Sequence, residues 1–120
     1  MIKIQSLNQK EQFRKIFGKK KLNNIYFTIY FGKNIYELKK NNNKLNISFI
    51  MKKKIGNAVK RNKIRRKLKS AVIKILKDDK AINLNYTYII FGKTHVYKEK
   101  FPAIFNEVNA SFKKIKNLIN

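Results

Sequence analysis

The stretch KKIGNAVKRNKIRR, residues 53–66, joins a basic turn to the start of a helix. Gly56 and Asn57 are both residue types found at helix starts, so either can cap the helix that follows. From Asn57 onward apolar residues recur every three or four positions, the period of one face of an α-helix. The stretch therefore predicts one long helix that ends at Asp78-Asp79. Its apolar stripe consists of Ile64, Leu68, Ala71, Val72 and Ile75.

The start of this helix is a candidate anion site. Unpaired backbone N–H groups at the helix N-terminus would lie beside Lys52, Lys53 and Lys54. One interpretation is that they hold a nucleic-acid phosphate. The other is a basic turn with nothing bound.

One flank of the helix is a second candidate site. With Leu68 at the centre of the apolar stripe, the residues Asn62, Arg65, Arg66 and Lys69 fall together on one side of that stripe. Arginine is otherwise scarce in this lysine-rich chain, and its planar fork suits phosphate groups and base edges. Arg61 lies close to the apolar stripe of this helix. Its side chain therefore either reaches out over the edge of the sheet or has a structural role.

The segments around this helix predict a sheet. Residues 25–31 are β-branched or aromatic throughout, and the turn at 32–34 leads to a second strand at 35–38. Residues 45–51 alternate apolar and polar side chains, which is typical of a half-buried strand. The strand at 86–91 should lie parallel to the strand at 45–51, because a helix connects the two.

Two further helices complete the predicted order. Ser6 or Asn8 can cap a first helix that carries Phe13 and Phe17 and ends at Gly18, and Pro102 can open the last helix at its first position. The sequence therefore predicts one α+β domain over residues 1–120. Its architecture is a two-layer αβββαβα sandwich with a mixed four-stranded sheet and a βαβ crossover.

The charge points to a polyanionic partner. Thirty basic residues face six acidic ones, which gives a net charge of +24, and residues 38–77 contain no Asp or Glu. A surface that is merely soluble intersperses both signs, whereas one that binds phosphates concentrates one sign. A genome rich in A and T, which fills surfaces with lysine, explains only part of this charge. We expect nucleic acid as the partner.

Several function classes are excluded. The chain has no Cys and a single His, His95, so neither a thiolate zinc site nor a histidine metal cage can form. A protein nuclease needs clustered carboxylates or a histidine acid–base pair, and the adjacent Asp78 and Asp79 suit a helix end instead. No apolar run approaches membrane-spanning length, and the start has no signal-peptide character. We expect a cytoplasmic protein with no membrane partner and no obligate protein partner.

Residues 53–66 resemble the signature of the bacterial ribonuclease P protein subunit, a Lys-Lys-x-Gly-x-Ala-Val-x-Arg-Asn-x-x-Arg-Arg pattern. The resemblance extends over most of the chain, since residues 7–17 are similar to the family's first helix with its paired Phe residues. Three positions depart from the family: Ser48 replaces a usual Gly, Lys63 replaces a frequent Arg, and 91–93 replaces an Arg-Lys-Pro-like run.

The resemblance implies a subunit of a ribonucleoprotein endonuclease that removes the 5′ leader of precursor tRNA. The catalytic RNA would perform the reaction with Mg²⁺ bound mainly by the RNA, and no protein side chain would be catalytic. The resemblance also implies a left-handed crossover between the strands that flank the long helix, where the general rule predicts a right-handed one. The residues implied to face the catalytic RNA are Lys53, Lys54, Arg61, Asn62, Arg65, Arg66 and Lys69.

The same resemblance assigns Phe13, Phe17 and Tyr30 to a cleft for the single-stranded leader. The residues alone favour an ordinary core role for Phe13 and Phe17, although Tyr26, Thr28 and Tyr30 would share one strand face beside lysines, as single-strand binding requires. A ribosomal protein or RNA-assembly factor without a nuclease role is the alternative function, since it shares the size, basicity and mixed fold.

Overall fold

The computed structural model describes residues 2–6, 20–33, 44–78 and 82–119. Two α-helices lie in this part of the chain, α1 (Ala58–Asp78) and α2 (Phe101–Ile119). Short 3₁₀ turns at Lys53–Ile55 and Thr94–Val96 precede them. The described strands are β1 (Lys3–Gln5), β2 (Lys20–Asn23), β3 (Phe27–Lys33), β4 (Lys44–Ile50) and β5 (Tyr86–Gly92).

The strands form a mixed sheet in the order β1-β4-β5-β3-β2. β4 and β5 are parallel, with Ile47 opposite Tyr88, which confirms the predicted βαβ unit. β3 is antiparallel to β5, with Ile29 opposite Ile90. The hand of the β4–α1–β5 crossover stays a prediction.

Both helices contribute to a core on one face of the sheet, which we call the inner face. The predicted stripe of α1, from Ile64 to Ile75, is at most 1% exposed, and Ile104, Val108, Phe112 and Ile115 of α2 are equally buried. They join one cluster with alternate residues of the central strands: Phe27, Ile29, Phe31, Leu45, Ile47, Tyr88 and Ile90. The two-layer α+β prediction is confirmed.

Gly92 lets α1 lie close to the end of β5. A Cβ at this position would clash with the Sδ of Met51 and would stand 2.9 Å from Ile64 and 3.0 Å from Leu68. Interiors are close-packed, so even one added carbon there must displace its neighbours. The close approach fixes the start of α1 beside the end of the sheet where β5 stops.

The structure corrects the strand count. The sequence predicted four strands. Three of them are among the five strands described, and the other two described strands, β1 and β2, were missed. Both are short edge strands of mostly polar residues, so they lack the apolar alternation that marks a half-buried strand. β1 pairs with β4 in parallel, and β2 pairs with β3.

Smaller differences concern element boundaries. β3 begins at Phe27, two residues after the predicted start, and α2 begins at Phe101, one residue before Pro102. The predicted first helix and the strand at 35–38 lie outside the described residues. Within the described part of the chain, no helix is both long and apolar enough to span a membrane.

Candidate nucleic-acid interface

The turn before α1 depends on a glycine and an asparagine. The side-chain Oδ1 of Asn57 accepts a hydrogen bond from the backbone N–H of Lys60 at 2.9 Å, which identifies Asn57 as the helix cap. Gly56 has φ +156° and ψ −166°, a backbone conformation that side chains with a Cβ rarely adopt. The turn thus brings the exposed Lys53 and Lys54 to the N-terminus of α1.

Arg61 has a structural contact. Its Nε donates a hydrogen bond to the backbone carbonyl of Gly56 at 3.1 Å, and its side chain is half-buried. Of the two predicted roles, the structural one accounts for this donor. The remaining guanidinium N–H groups can still bind phosphate.

The predicted flank of α1 is formed by four polar side chains. Nη1 of Arg65 donates to Oδ1 of Asn62 at 2.7 Å, which orients the guanidinium along the helix. Asn62, Arg66 and Lys69 are exposed, and Arg65 is half-exposed. We call Asn62, Arg65, Arg66 and Lys69 the arginine flank.

A pocket of about 430 Å³ lies at the end of the sheet beside the basic turn. It contains Tyr30, which was predicted for the leader cleft, and Lys54, which was predicted to face the catalytic RNA. The structure therefore joins two sites that the sequence treated separately. Phe13 and Phe17 lie outside the described residues. The lining consists of Thr28, Tyr30, Lys52, Lys54, Ile55, Phe91, Gly92, Lys93 and Thr94, and we call it the Tyr30 pocket.

Each of the two aromatic rings that line the Tyr30 pocket has a lysine ammonium group near it. The rings of Tyr30 and Phe91 meet edge to face, with centroids 5.8 Å apart at 78°. The Nζ of Lys52 lies 5.6 Å from the centre of the Phe91 ring, and that of Lys21 lies 5.9 Å from the Tyr30 ring. Aromatic surfaces among cations can stack bases while ammonium groups contact phosphates.

Phe91 was missed as a site residue. It was predicted only as part of a strand, and its position beside Tyr30 depends on the pairing of β3 with β5, in which Phe91 is opposite Thr28 and Ile89 is opposite Tyr30. Side chains of directly paired residues lie on the same face of a sheet. The register of β3 against β5 identifies Phe91 as a site residue, and this register cannot be read from the local sequence of either strand.

Tyr26 was predicted to share one strand face with Thr28 and Tyr30, but it lies outside the strand and does not line the Tyr30 pocket. It precedes β3, and its hydroxyl donates to Oε2 of Glu99 at 2.9 Å. The pKa of Glu99 is lowered. The largest cause is the hydrogen bond that its carboxylate accepts from the backbone N–H of Lys100, and the second is the hydrogen bond from the hydroxyl of Tyr26. Tyr26 therefore ties β3 to the segment before α2.

The described residues carry mainly the chemistry of polyanion binding. They contain no group of three or more His, Cys, Asp or Glu side chains that could hold a metal ion. His95 is exposed in the short turn before α2. Cationic and aromatic side chains dominate the pocket and the arginine flank, and such side chains bind polyanions.

A small, strongly basic α+β domain with an aromatic pocket beside an arginine flank has the character of an RNA-binding subunit. The sequence model of the ribonuclease P family matches residues 1–116. The chain belongs to the ribonuclease P protein family. Binding to ribonuclease P RNA and participation in tRNA 5′ maturation follow from this membership, and the alternative of a ribosomal protein or assembly factor is set aside.

Proteins that are similar in sequence and in structure agree with this assignment. The ribonuclease P protein component of Carboxydothermus hydrogenoformans is 29% identical over all of this chain and 98% of its own length. The solved ribonuclease P protein of Staphylococcus aureus superposes with a TM-score of 0.67 at 26% identity, covering 96% of this chain and 97% of that one. The protein from Thermotoga maritima has the same fold, with a TM-score of 0.71 at 20% identity over 92% and 96% of the two chains.

Proposed function

We propose that the Tyr30 pocket receives the single-stranded 5′ leader of precursor tRNA, while the arginine flank binds the catalytic RNA of ribonuclease P. The observation that carries the proposal is the convergence of Tyr30, Phe91 and the ammonium group of Lys52 in one pocket. A stacked base and its phosphate require this combination of an aromatic surface and a nearby cation.

The arginine flank suits a structured RNA because several of its donors lie together on one side of a packed helix. Asn62 holds the guanidinium of Arg65, and Arg66 and Lys69 project from the same side of the helix, beside the stripe that is buried in the core. Guanidinium groups bind phosphate oxygens in pairs, so a rigid row of such groups fixes both position and orientation. Lys53, Lys54 and Arg61 extend this surface around the helix start.

We assign cleavage to the RNA component and Mg²⁺ to sites formed mainly by that RNA. The described residues do not assemble the carboxylate set that Mg²⁺ prefers in proteins. The contribution of this chain is to bind the leader, position it and reduce the repulsion between two RNA molecules. We place this function in the cytoplasm.

Reconstitution tests the proposal directly. Purified protein is mixed with a bacterial ribonuclease P RNA and precursor tRNA at low Mg²⁺ concentration, and release of the 5′ leader is followed. We expect rapid, accurate release only when both protein and RNA are present. Leader removal by the protein alone, surviving exhaustive nuclease treatment of the preparation, would contradict the assignment of catalysis to the RNA.

The precursor preference tests the pocket separately. Within the assembled complex, precursor tRNA should bind more tightly than mature tRNA, because only the precursor supplies a strand to stack on Tyr30 and Phe91. Equal affinity of the wild-type complex for both substrates would refute the leader assignment while leaving the arginine flank untouched.

A further inference from the structure

Two ammonium groups converge on the ring of Tyr97, on the opposite side of α1 from the arginine flank. The Nζ of Lys60 lies 5.2 Å from the ring centre, and the Nζ of Lys63 lies 4.9 Å from it. Tyr97 is half-buried in the segment that joins β5 to α2. One aromatic ring thus holds two like charges close together.

Lys67 adds a third positive charge one turn further along the helix. Its Nζ donates to three backbone carbonyls, at 3.0 Å to Val96, 2.8 Å to Tyr97 and 2.7 Å to Glu99. The pKa of Lys67 is lowered, first by burial and then by the nearby charge of Lys63, while the Glu99 carboxylate acts in the opposite direction. We call Lys60, Lys63, Lys67 and Tyr97 the Tyr97 cluster.

One carboxylate, that of Glu99, acts on the Tyr97 cluster, and it acts on Lys67. Among the described residues, neither Lys60 nor Lys63 pairs with an acidic side chain, and the Glu99 carboxylate accepts hydrogen bonds from Tyr26 and from the backbone of Lys100. Like charges that are only partly offset repel each other in the free protein, and a bound polyanion reduces that repulsion. The cluster is therefore chemically suited to phosphate.

The contrast with Lys74 shows that this crowding is local. Lys74 lies two turns beyond Lys67 on the same side of α1, and its Nζ stands 4.6 Å from the centre of the Phe105 ring. Phe105 receives this single ammonium group, whereas Tyr97 receives two. Lys74 consequently provides a matched control in which the same kind of contact occurs without clustered charge.

The Tyr97 cluster continues the surface of the Tyr30 pocket. Lys93 and Thr94 line that pocket, and the 3₁₀ turn Thr94–Val96 leads directly to Tyr97. Lys60 follows the basic turn whose Lys54 also lines the pocket, and its side chain would contact a Cβ at Gly56. A strand leaving the pocket past Thr94 would meet the cluster next.

We propose that the Tyr97 cluster is an extension site for the substrate RNA, in which Lys60 and Lys63 bind phosphates of the leader beyond the nucleotide held in the Tyr30 pocket. Lys67 fixes the segment that carries Tyr97, and the Tyr97 ring keeps the two ammonium groups in place. The proposal rests on the leader assignment made above and adds residues outside the arginine flank and the Tyr30 pocket.

Leader length provides the test. Complexes assembled with wild-type protein or with Lys60→Gln/Lys63→Gln are compared for binding to mature tRNA and to precursors with short and long leaders. For the double variant we expect about tenfold weaker binding of the long-leader precursor. For the same precursor, the slope of log affinity against log salt concentration should be less steep for the double variant than for wild type. The expected difference is about 0.7 for each lost phosphate contact with a single strand. Short-leader precursor and mature tRNA should bind as they do to the wild-type complex.

Two controls identify the cause. Lys60→Arg/Lys63→Arg retains both charges and should restore long-leader binding, while Lys74→Gln/Lys77→Gln removes the same charge elsewhere on α1 and should leave the leader-length effect intact. Thermal unfolding of each free variant shows whether the domain is folded.

The opposing outcomes are distinct. If the double glutamine variant binds long and short leaders with wild-type affinities, or weakens all substrates and RNA assembly equally, the extension site is wrong. If the wild-type complex prefers precursor over mature tRNA but binds long and short leaders with equal affinity, the leader assignment of the Tyr30 pocket is retained and only the extension site is wrong. If the wild-type complex shows no precursor preference, both the leader assignment and the extension site are wrong.

Discussion

The Nε of Arg61 donates a 3.1 Å hydrogen bond to the backbone carbonyl of Gly56, five residues earlier. The first arginine of α1 thereby holds the turn that precedes this helix. The same turn carries Lys52 and Lys54 into the Tyr30 pocket. The arginine flank and the Tyr30 pocket, the two surfaces proposed to bind RNA, therefore share one junction, and changes in the turn should affect both.

Replacement of Gly56 by Ala should destabilise the domain by about 1–3 kcal/mol, because φ +156° is strained for any residue with a Cβ. The new Cβ would also stand 2.7 Å from Cδ of Lys60. Urea unfolding followed by circular dichroism measures the loss. Lys60→Ala in the Gly56→Ala background relieves only the contact, so most of the loss should remain. A Gly56→Ala variant as stable as the wild type would show that the turn accepts another backbone conformation.

Loss of the arginine flank should weaken assembly rather than folding. Arg65→Ala and Arg66→Ala each remove charge-assisted contacts with RNA, so the affinity for the catalytic RNA should fall by about 1–3 kcal/mol. Filter binding at fixed salt measures this change, with Lys114→Ala on the exposed side of α2 as the control. Precursor preference within the assembled complex should hardly change. Should Arg65→Ala lower only that preference, the assignment of the two surfaces is reversed.

Tyr30→Leu should produce the opposite pattern. The substitution keeps an apolar side chain but removes the ring that meets Phe91, and each stacked base is worth about 1–3 kcal/mol. We expect assembly close to normal and a reduced advantage of precursor over mature tRNA, measured by competition binding. Phe91→Leu should reduce the same advantage. Equal losses in assembly and precursor preference would contradict a separate leader pocket.

The contact between Tyr26 and Glu99 predicts a pH effect. The pKa of Glu99 is lowered from the ordinary value of 4.5, so its contribution to stability is present above that pH and is lost as pH falls through the lower pKa of the folded state. Tyr26→Phe removes one hydrogen-bond donor and should raise the pKa of Glu99 towards 4.5, as measured by a carboxyl NMR titration. The stability difference between wild type and variant should shrink on acidification. An unchanged pKa would mean that the Lys100 backbone N–H alone sets it.

Anions should stabilise the free protein. A net charge of +24 opposes compaction at low ionic strength, and phosphate that binds only the folded state shifts the equilibrium towards it. The unfolding midpoint should therefore be higher in phosphate than in chloride at equal ionic strength, by an amount that increases with phosphate concentration. Identical midpoints in the two salts would show that screening, and not site binding, accounts for the effect of ions.

The sequence by itself determined the two described helices, the central strands and the class of partner. The stripe from Ile64 to Ile75 has the helical period, and burying it is the main stabilisation available to α1. The parallel pairing of β4 with β5 followed from the helix between them. The net charge of +24 indicated a polyanionic partner, because net charge follows from composition alone.

Tertiary structure alone decided which side chains meet. The pairing of β3 with β5 brings Phe91 beside Tyr30, and packing of the segment after β5 against α1 places Tyr97 under Lys60 and Lys63. Tyr26 was misassigned because its position outside β3 and its partner Glu99, 73 residues away, depend on the folded chain. Local periodicity encodes which face of an element is apolar, whereas register and packing between distant segments arise only when those faces are buried together.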